Sequence, residues 1–320
     1  MRFGLVLGAG GTVGMAYHAG VLRALALEAG LSVGEADLVV GTSAGAVVGA
    51  YLRSGWTTED FWLLAHGEHP RIPPLDDGTD TVMARAYRTP LGFVRRGLGS
   101  AFVMGQSIAR LPVGAVPAPL RRAFPGGLYS MREGRKRLAE ELPSEWPPQP
   151  LWLVAVDIDS GRRVVLGREG GPALGLADAV QASCAIPGVY KPVRAGTATL
   201  VDGGAHSTTN LDLAADHGCD LVLCIAPMAF DTSERLPDPI HRLVRLFPAR
   251  RLAGEVAYAR AAGAEVLMIR PSVSDLRVQG LNMMRPSGME LVAQAAYDST
   301  VRLLATDRFR SVLASRSSAA

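Results

Sequence analysis

Gly41-Thr42-Ser43-Ala44-Gly45 leaves this chain little local choice. The apolar run Asp37-Leu38-Val39-Val40 before it reads as a short strand, and Ala46–Leu52 after it reads as a helix. A Gly-x-Ser-x-Gly between strand and helix forces a turn so sharp that only small residues fit beside the serine. The turn lifts the hydroxyl to a helix N-terminus, where backbone N–H groups and the helix dipole favour developing negative charge. Ser43 is therefore a candidate nucleophile, with Gly41 and Gly45 as the glycines the turn needs. An ordinary tight turn is the plain alternative.

Strands alternate with helical stretches along much of the remaining chain. Arg2–Leu7 is a buried strand, and Gly8-Ala9-Gly10-Gly11-Thr12-Val13-Gly14 is a loop. Met15–Ala29 has helical periodicity. Leu151–Val156, Arg163–Leu166, Ala198–Val201, Leu221–Ala226 and Glu265–Ile269 read as strands, and Pro286–Thr306 as a closing helix. This order predicts an α/β fold: a mostly parallel sheet in a three-layer α/β/α arrangement. Residues 67–150 are broken by Pro73-Pro74, Pro112, Pro117, Pro119, Pro125-Gly126-Gly127 and Pro147-Pro148, and are expected to form an inserted helical cap. One domain is expected over 1–310, with a tail over 311–320 that frays at Ser315–Ala320.

Three glycine-rich features lie at strand ends: Gly8–Gly14, the Ser43 turn, and Asp202-Gly203-Gly204. Open α/β sheets hold ligands outside the carboxyl ends of their strands, so the three can meet at one edge. Each supplies one element of acyl transfer. Ser43 needs a base to take its proton. Asp202 is the candidate, held by Gly203 and Gly204; an aspartate is a poor base at its reference pKa of ~3.9, and burial would raise it. Gly10 and Gly11 would aim backbone N–H groups at the oxyanion, with Gly8 and Gly14 shaping the loop; one such donor is typically worth ~10²–10³ in rate.

These blocks resemble the patatin-like phospholipase family of bacterial lipid acyl hydrolases. The resemblance covers the first 55 residues and then 151 to about 227. It rests on Gly10-Gly11 with Gly14, on His18-x-Gly20-Val21-Leu22, on Gly41–Gly45, on Ala182-Ser183-x-Ala185-x-Pro187, and on Asp202-Gly203-Gly204 followed by Asn210. It implies a Ser43-Asp202 dyad acting through an acyl-enzyme, an oxyanion hole at Gly10 and Gly11, and a phospholipid or lysophospholipid ester as substrate. Two positions depart from the family loop: Ala9 stands where its first glycine is usual, and Val13 where its arginine is.

Other readings compete with this one. Gly-x-Gly-x-x-Gly, the dinucleotide-binding pattern, fails at Val13, and Glu28 lies within the first helix. A Ser-Asp-His triad exists in order through His206 or His217, but His206 lies four residues from Asp202 and Ser43 follows only one or two strands. A catalytically silent lipid-binding protein of the same fold is a further alternative, as is a nucleotide-binding protein. Cys184, Cys219 and Cys224 lack metal-ligand spacing, and Asp76-Asp77-x-x-Asp80 lacks the glycine and glutamate of a calcium loop, so no metal or cofactor is implied.

Net charge is only +3, but Arg85, Arg88, Arg95, Arg96, Arg110, Arg121, Arg122, Arg132, Arg135, Lys136 and Arg137 face one acid, Glu133, across 85–137. Interleaved basic and apolar residues suit peripheral contact with an anionic membrane; a solvated arginine-rich surface accounts for them equally well. No nucleic-acid partner is implied. Phe3–Leu7 runs into a glycine loop with no charged leader beyond Arg2, so a cytoplasmic protein without a cleavable signal peptide is expected.

Overall fold

The computed structural model describes residues 1–72, 130–233 and 239–317. Its strands are β1 (Phe3–Leu7), β2 (Leu38–Gly41), β3 (Leu151–Asp157), β4 (Arg163–Leu166), β5 (Val193–Ala195), β6 (Ala198–Asp202), β7 (Leu221–Ile225) and β8 (Glu265–Ile269). The described helices are α1 (Gly11–Ala29), α2 (Ala44–Arg53), α3 (Thr58–His66), α4 (Arg132–Glu141), α5 (Leu176–Ser183), α6 (Asp212–Asp216), α7 (Pro239–Ala261), α8 (Val273–Gln279), α9 (Met289–Leu304) and α10 (Asp307–Ser317).

One sheet runs in the order β5-β6-β3-β2-β1-β7-β8, with β4 paired to β3. β3, β2, β1, β7 and β8 are parallel; β4, β5 and β6 join antiparallel. Apart from Asp157 and Glu265 at strand ends, the parallel strands are continuously apolar, because both faces are covered. Alternate residues feed separate cores. Leu5, Leu7, Val39, Leu153 and Leu223 pack with α1, α2, α5 and α9. Val6, Val40, Val154 and Val222 pack with α6 and α7. This is the expected three-layer arrangement. α1 is buried on most sides, since α9 crosses it so closely that a Cβ on Gly20 would strike the Ala293 carbonyl.

The edges of β3 decide where the site forms. Residues 153–156 of β3 pair with β4. β2 pairs with 151–153 and β6 with 155–157, so both must lie on the opposite edge. β2 ends at Gly41 beside Leu153, and the antiparallel β6 ends at Asp202 beside Ala155. The two strands thus meet head to head, with only Val154 between their ends.

The glycine loop and the tail differ from expectation. The glycine loop is shorter than 8–14, because α1 begins at Gly11 and Gly14 donates its N–H to the Gly10 carbonyl at 2.7 Å. The tail expected from 311 is helical to Ser317, because Phe309 is buried and Val312 and Leu313 pack on the core. Residues 73–129 of the expected cap, with most of its basic residues, lie outside the described residues. The described part, 130–150, contains α4, whose Arg135 pairs with Asp178 and Arg137 with Glu141.

Candidate active site

Each arm of the site is held by backbone. Leu7 ends β1, after which the Gly8 N–H meets the Ile225 carbonyl at 2.9 Å and the Ala9 N–H meets Thr208 at 2.7 Å. Ala9 is not among the described residues at positive φ, so a methyl in place of glycine carries no conformational cost there. The next turn is tightly enclosed. A Cβ on Gly10 would stand 2.7 Å from Gly14 Cα and 3.0 Å from Pro227 Cβ. Gly11 adopts φ +60°, with the Met283 carbonyl and the Met284 sulfur where a side chain would begin. The N–H groups of Gly10 and Gly11 have no acceptor among the described residues, which leaves two donors at the N-terminus of a 19-residue helix.

The Ser43 turn has the backbone strain its sequence predicts. Ser43 sits at φ 54° and ψ −116°, a region L-residues rarely occupy and one that surrounding structure must enforce. A Cβ on Gly45 would overlap the Leu7 carbonyl, and one on Gly41 would stand 2.7 Å from Ala46 Cα. The Ser43 N–H donates to Ser183 Oγ at 3.0 Å, and Ser183 Oγ donates to the Val154 carbonyl at 2.6 Å. Val154 is the residue between the ends of β2 and β6. Cys184 Sγ lies 3.4 Å from the Ser43 carbonyl, and Ala185 accepts the Asp202 N–H at 2.9 Å. The segment Ser183-Cys184-Ala185 therefore clamps the serine and the aspartate to each other.

Asp202 caps the short turn Gly203–Ala205, its Oδ1 accepting the Gly204 N–H at 2.7 Å. Gly203 leaves no room for a side chain against the Val154 carbonyl. Both Ser43 and Asp202 are buried. Burial raises the Asp202 pKa to about 6; hydrogen bonding from the Gly204 N–H and the Ser43 side chain pulls the other way. The pair thus combines a strained serine with a carboxylate of unusual basicity.

Other residues brace this arrangement. Asn210 adopts φ 55°, a conformation asparagine tolerates, and its Nδ2 reaches Thr42 Oγ1 at 3.1 Å and the Ser207 carbonyl at 2.7 Å. His18 is wholly buried, and burial lowers its pKa to about 4. Its Nε2–H donates to the Gly8 carbonyl at 2.8 Å; a carbonyl can only accept, which fixes the tautomer. His206 accepts a hydrogen bond from Arg251 at 2.8 Å, and His217 packs edge-on against Trp152. Ser183, Asn210 and His18 stand out in sequence only as members of recurring blocks. Met283, Pro227 and Arg245, which back the glycine loop, carry no local sequence signal at all.

Residues 5–215 match the family described as patatin-like phospholipase. An uncharacterized NTE family protein of Mycobacterium tuberculosis (strain CDC 1551 / Oshkosh) is 30% identical over 201 residues, 63% of this chain and 26% of that protein. A second, from Mycobacterium bovis, is 29% identical over 201 residues, with the same shares. The chain thus spans about a quarter of the length of these relatives. Among solved structures, VipD from Legionella pneumophila superposes with a TM-score of 0.44 at 18% identity, over 95% of this chain and 66% of that one.

Proposed function

The chain belongs to the patatin-like phospholipase family, and from that premise we propose that it is a serine acyl hydrolase that cleaves carboxyl esters of lipids. Ser43 Oγ attacks the ester carbonyl while its proton passes to the Asp202 carboxylate. The N–H groups of Gly10 and Gly11 stabilise the oxyanion. Collapse of the tetrahedral intermediate expels the alcohol, which takes the proton from Asp202. Water, deprotonated by the same carboxylate, then cleaves the acyl-enzyme and regenerates Ser43. The substrate class we favour is a phospholipid or lysophospholipid.

One observation carries the reading. The strand ends that bear Ser43 and Asp202 meet along one edge of β3, and Ser183 and Ala185 tie both residues to a single segment. The buried Asp202, with its pKa near 6, is suited to accept a proton. The test treats the protein with a fluorophosphonate and follows p-nitrophenol release from a medium-chain ester. Labelling and turnover should vanish in Ser43→Ala, and turnover should fall strongly in Asp202→Asn. Labelling that survives in Ser43→Ala would refute the assignment.

Peripheral membrane contact through the basic residues of 85–137 is part of the same proposal. No helix among the described residues is long and apolar enough to cross a membrane. Salt-sensitive binding to anionic vesicles is the expected result; binding indifferent to salt, or none, removes this element.

A further inference from the structure

Val13, where the family loop usually carries arginine, is wholly buried. A different cation lies behind the same loop. Arg245, on α7, is 2% exposed. Its guanidinium donates to the Pro227 carbonyl at 2.6 Å and to Gln279 Oε1 at 2.7 Å, and it touches the Met283 sulfur at 3.4 Å. Two of these partners wall the Gly10–Gly11 turn. Pro227 packs 3.0 Å from the place a Gly10 Cβ would occupy. Met283 covers Gly11, and its carbonyl accepts the Val13 N–H at 3.1 Å and the Thr12 hydroxyl at 3.3 Å.

Among the described residues no carboxylate forms an ion pair with Arg245. The Tyr17 hydroxyl interacts with it electrostatically, and Asp275 interacts with Tyr17 in turn. Burial lowers its pKa only to about 10, so it is charged at neutral pH. A buried cation with no ionic partner is costly, and well-packed apolar side chains generally serve stability as well or better. Its fork of donors, by contrast, can hold two chain segments in fixed relation in a way no apolar residue can.

We propose that Arg245 is a positioning residue for the oxyanion loop, joining Pro227 to Met283 so that the Gly10 and Gly11 N–H groups keep their aim. This rests on the acyl-hydrolase reading above. It also gives the 280–285 loop, remote in sequence from Ser43, a place in the same chemistry.

The test compares Arg245→Met and Arg245→Lys with the unaltered protein by two readings. The first is steady-state hydrolysis of a p-nitrophenyl ester. A displacement on the order of 1 Å at a reacting centre costs ~10²-fold. Arg245→Met should therefore lower kcat about 10²-fold with KM little changed, and Arg245→Lys should recover part of the loss. The second reading is amide hydrogen exchange, which needs no activity. Exchange over residues 10–14 and 282–285 should quicken by about tenfold or more in Arg245→Met, with the β-strands unchanged. Unaltered exchange in those two segments overturns the proposal, as does an unaltered kcat in a protein that labels at Ser43. If the unaltered protein neither labels nor turns over, the acyl-hydrolase reading fails and exchange alone decides the positioning role. If Arg245→Met does not fold, Arg245→Lys carries both readings, with smaller effects in the same directions.

Discussion

Replacing Asp202 by asparagine should make the protein more stable at neutral pH, and the gain should disappear in acid. Asp202 has an ordinary value of 3.8, raised by burial to about 6 in the folded chain. Between those values the folded state holds a proton that the unfolded state has released, so stability falls as pH rises. Below about pH 4 both states are protonated and there is no penalty; above about pH 6 both are ionised and the penalty is complete. A shift of about two units at about 1.4 kcal/mol per unit amounts to about 3 kcal/mol. Asparagine removes this term. It keeps an oxygen for the Gly204 N–H at Oδ1 and offers an amide toward Ser43, so the substitution orphans no buried group.

The assay is urea unfolding of both proteins from pH 4 to pH 8, followed by tryptophan fluorescence. Any constant offset from the substitution cancels when only the pH dependence of the difference is read. The variant's advantage should grow by about 2–3 kcal/mol between pH 4 and pH 7 and then stay level. A difference independent of pH would refute the claim that burial controls this carboxyl. A difference that grows toward acid would mean the folded state favours the ionised form, contrary to the argument.

As the proposed base, the same carboxylate should set the pH dependence of catalysis: a base works when ionised, so kcat/KM for a p-nitrophenyl ester should rise through about pH 6 and level above it. A profile flat from pH 5 to pH 8 would remove Asp202 as the base. Ser183→Ala orphans both the Ser43 N–H and the Val154 carbonyl, each a buried group worth roughly 1–3 kcal/mol, so thermal unfolding should drop markedly and fluorophosphonate labelling should slow. Gly45→Ala places a methyl on the Leu7 carbonyl, where rigid backbone gives way on neither side; the variant should fail to accumulate as folded protein, and a wild-type melting profile would refute the close approach.

The short-range features of the chain were legible from residue order. Thr57, one of two adjacent threonines able to cap a helix through Glu59–His66, is the N-cap of α3 in a reciprocal box with Asp60. The Ser43 turn takes the strained backbone its glycines allow. Asp157, which ends β3, and Asp159 flank a turn, Asp157 accepting the Asp159 and Ser160 N–H groups. Such features depend on a few neighbouring residues, so local pattern suffices. Residue order places the start of α1 too late because glycine is a poor helix former; here Met283 accepts the Val13 N–H from across the fold and secures the first turn. β5 carries no strand signal of its own for a similar reason: three residues, partly exposed, become a strand only by pairing with β6.

Sequence by itself determined which residues could do chemistry: a serine forced out at a helix start, an aspartate ending a strand, and glycines that keep backbone donors accessible. Tertiary structure decided that they meet. Nothing local specifies that β6 runs antiparallel on the edge of β3 that β2 has just left, yet that pairing brings Asp202 to Ser43. Nor does any local pattern show that Arg245 and Met283, more than 200 residues from Ser43, stand behind the Gly10–Gly11 turn. Strand edges and buried polar contacts are won in competition among distant segments, and the outcome depends on the packing of the whole sheet rather than on the run of residues that contributes each arm.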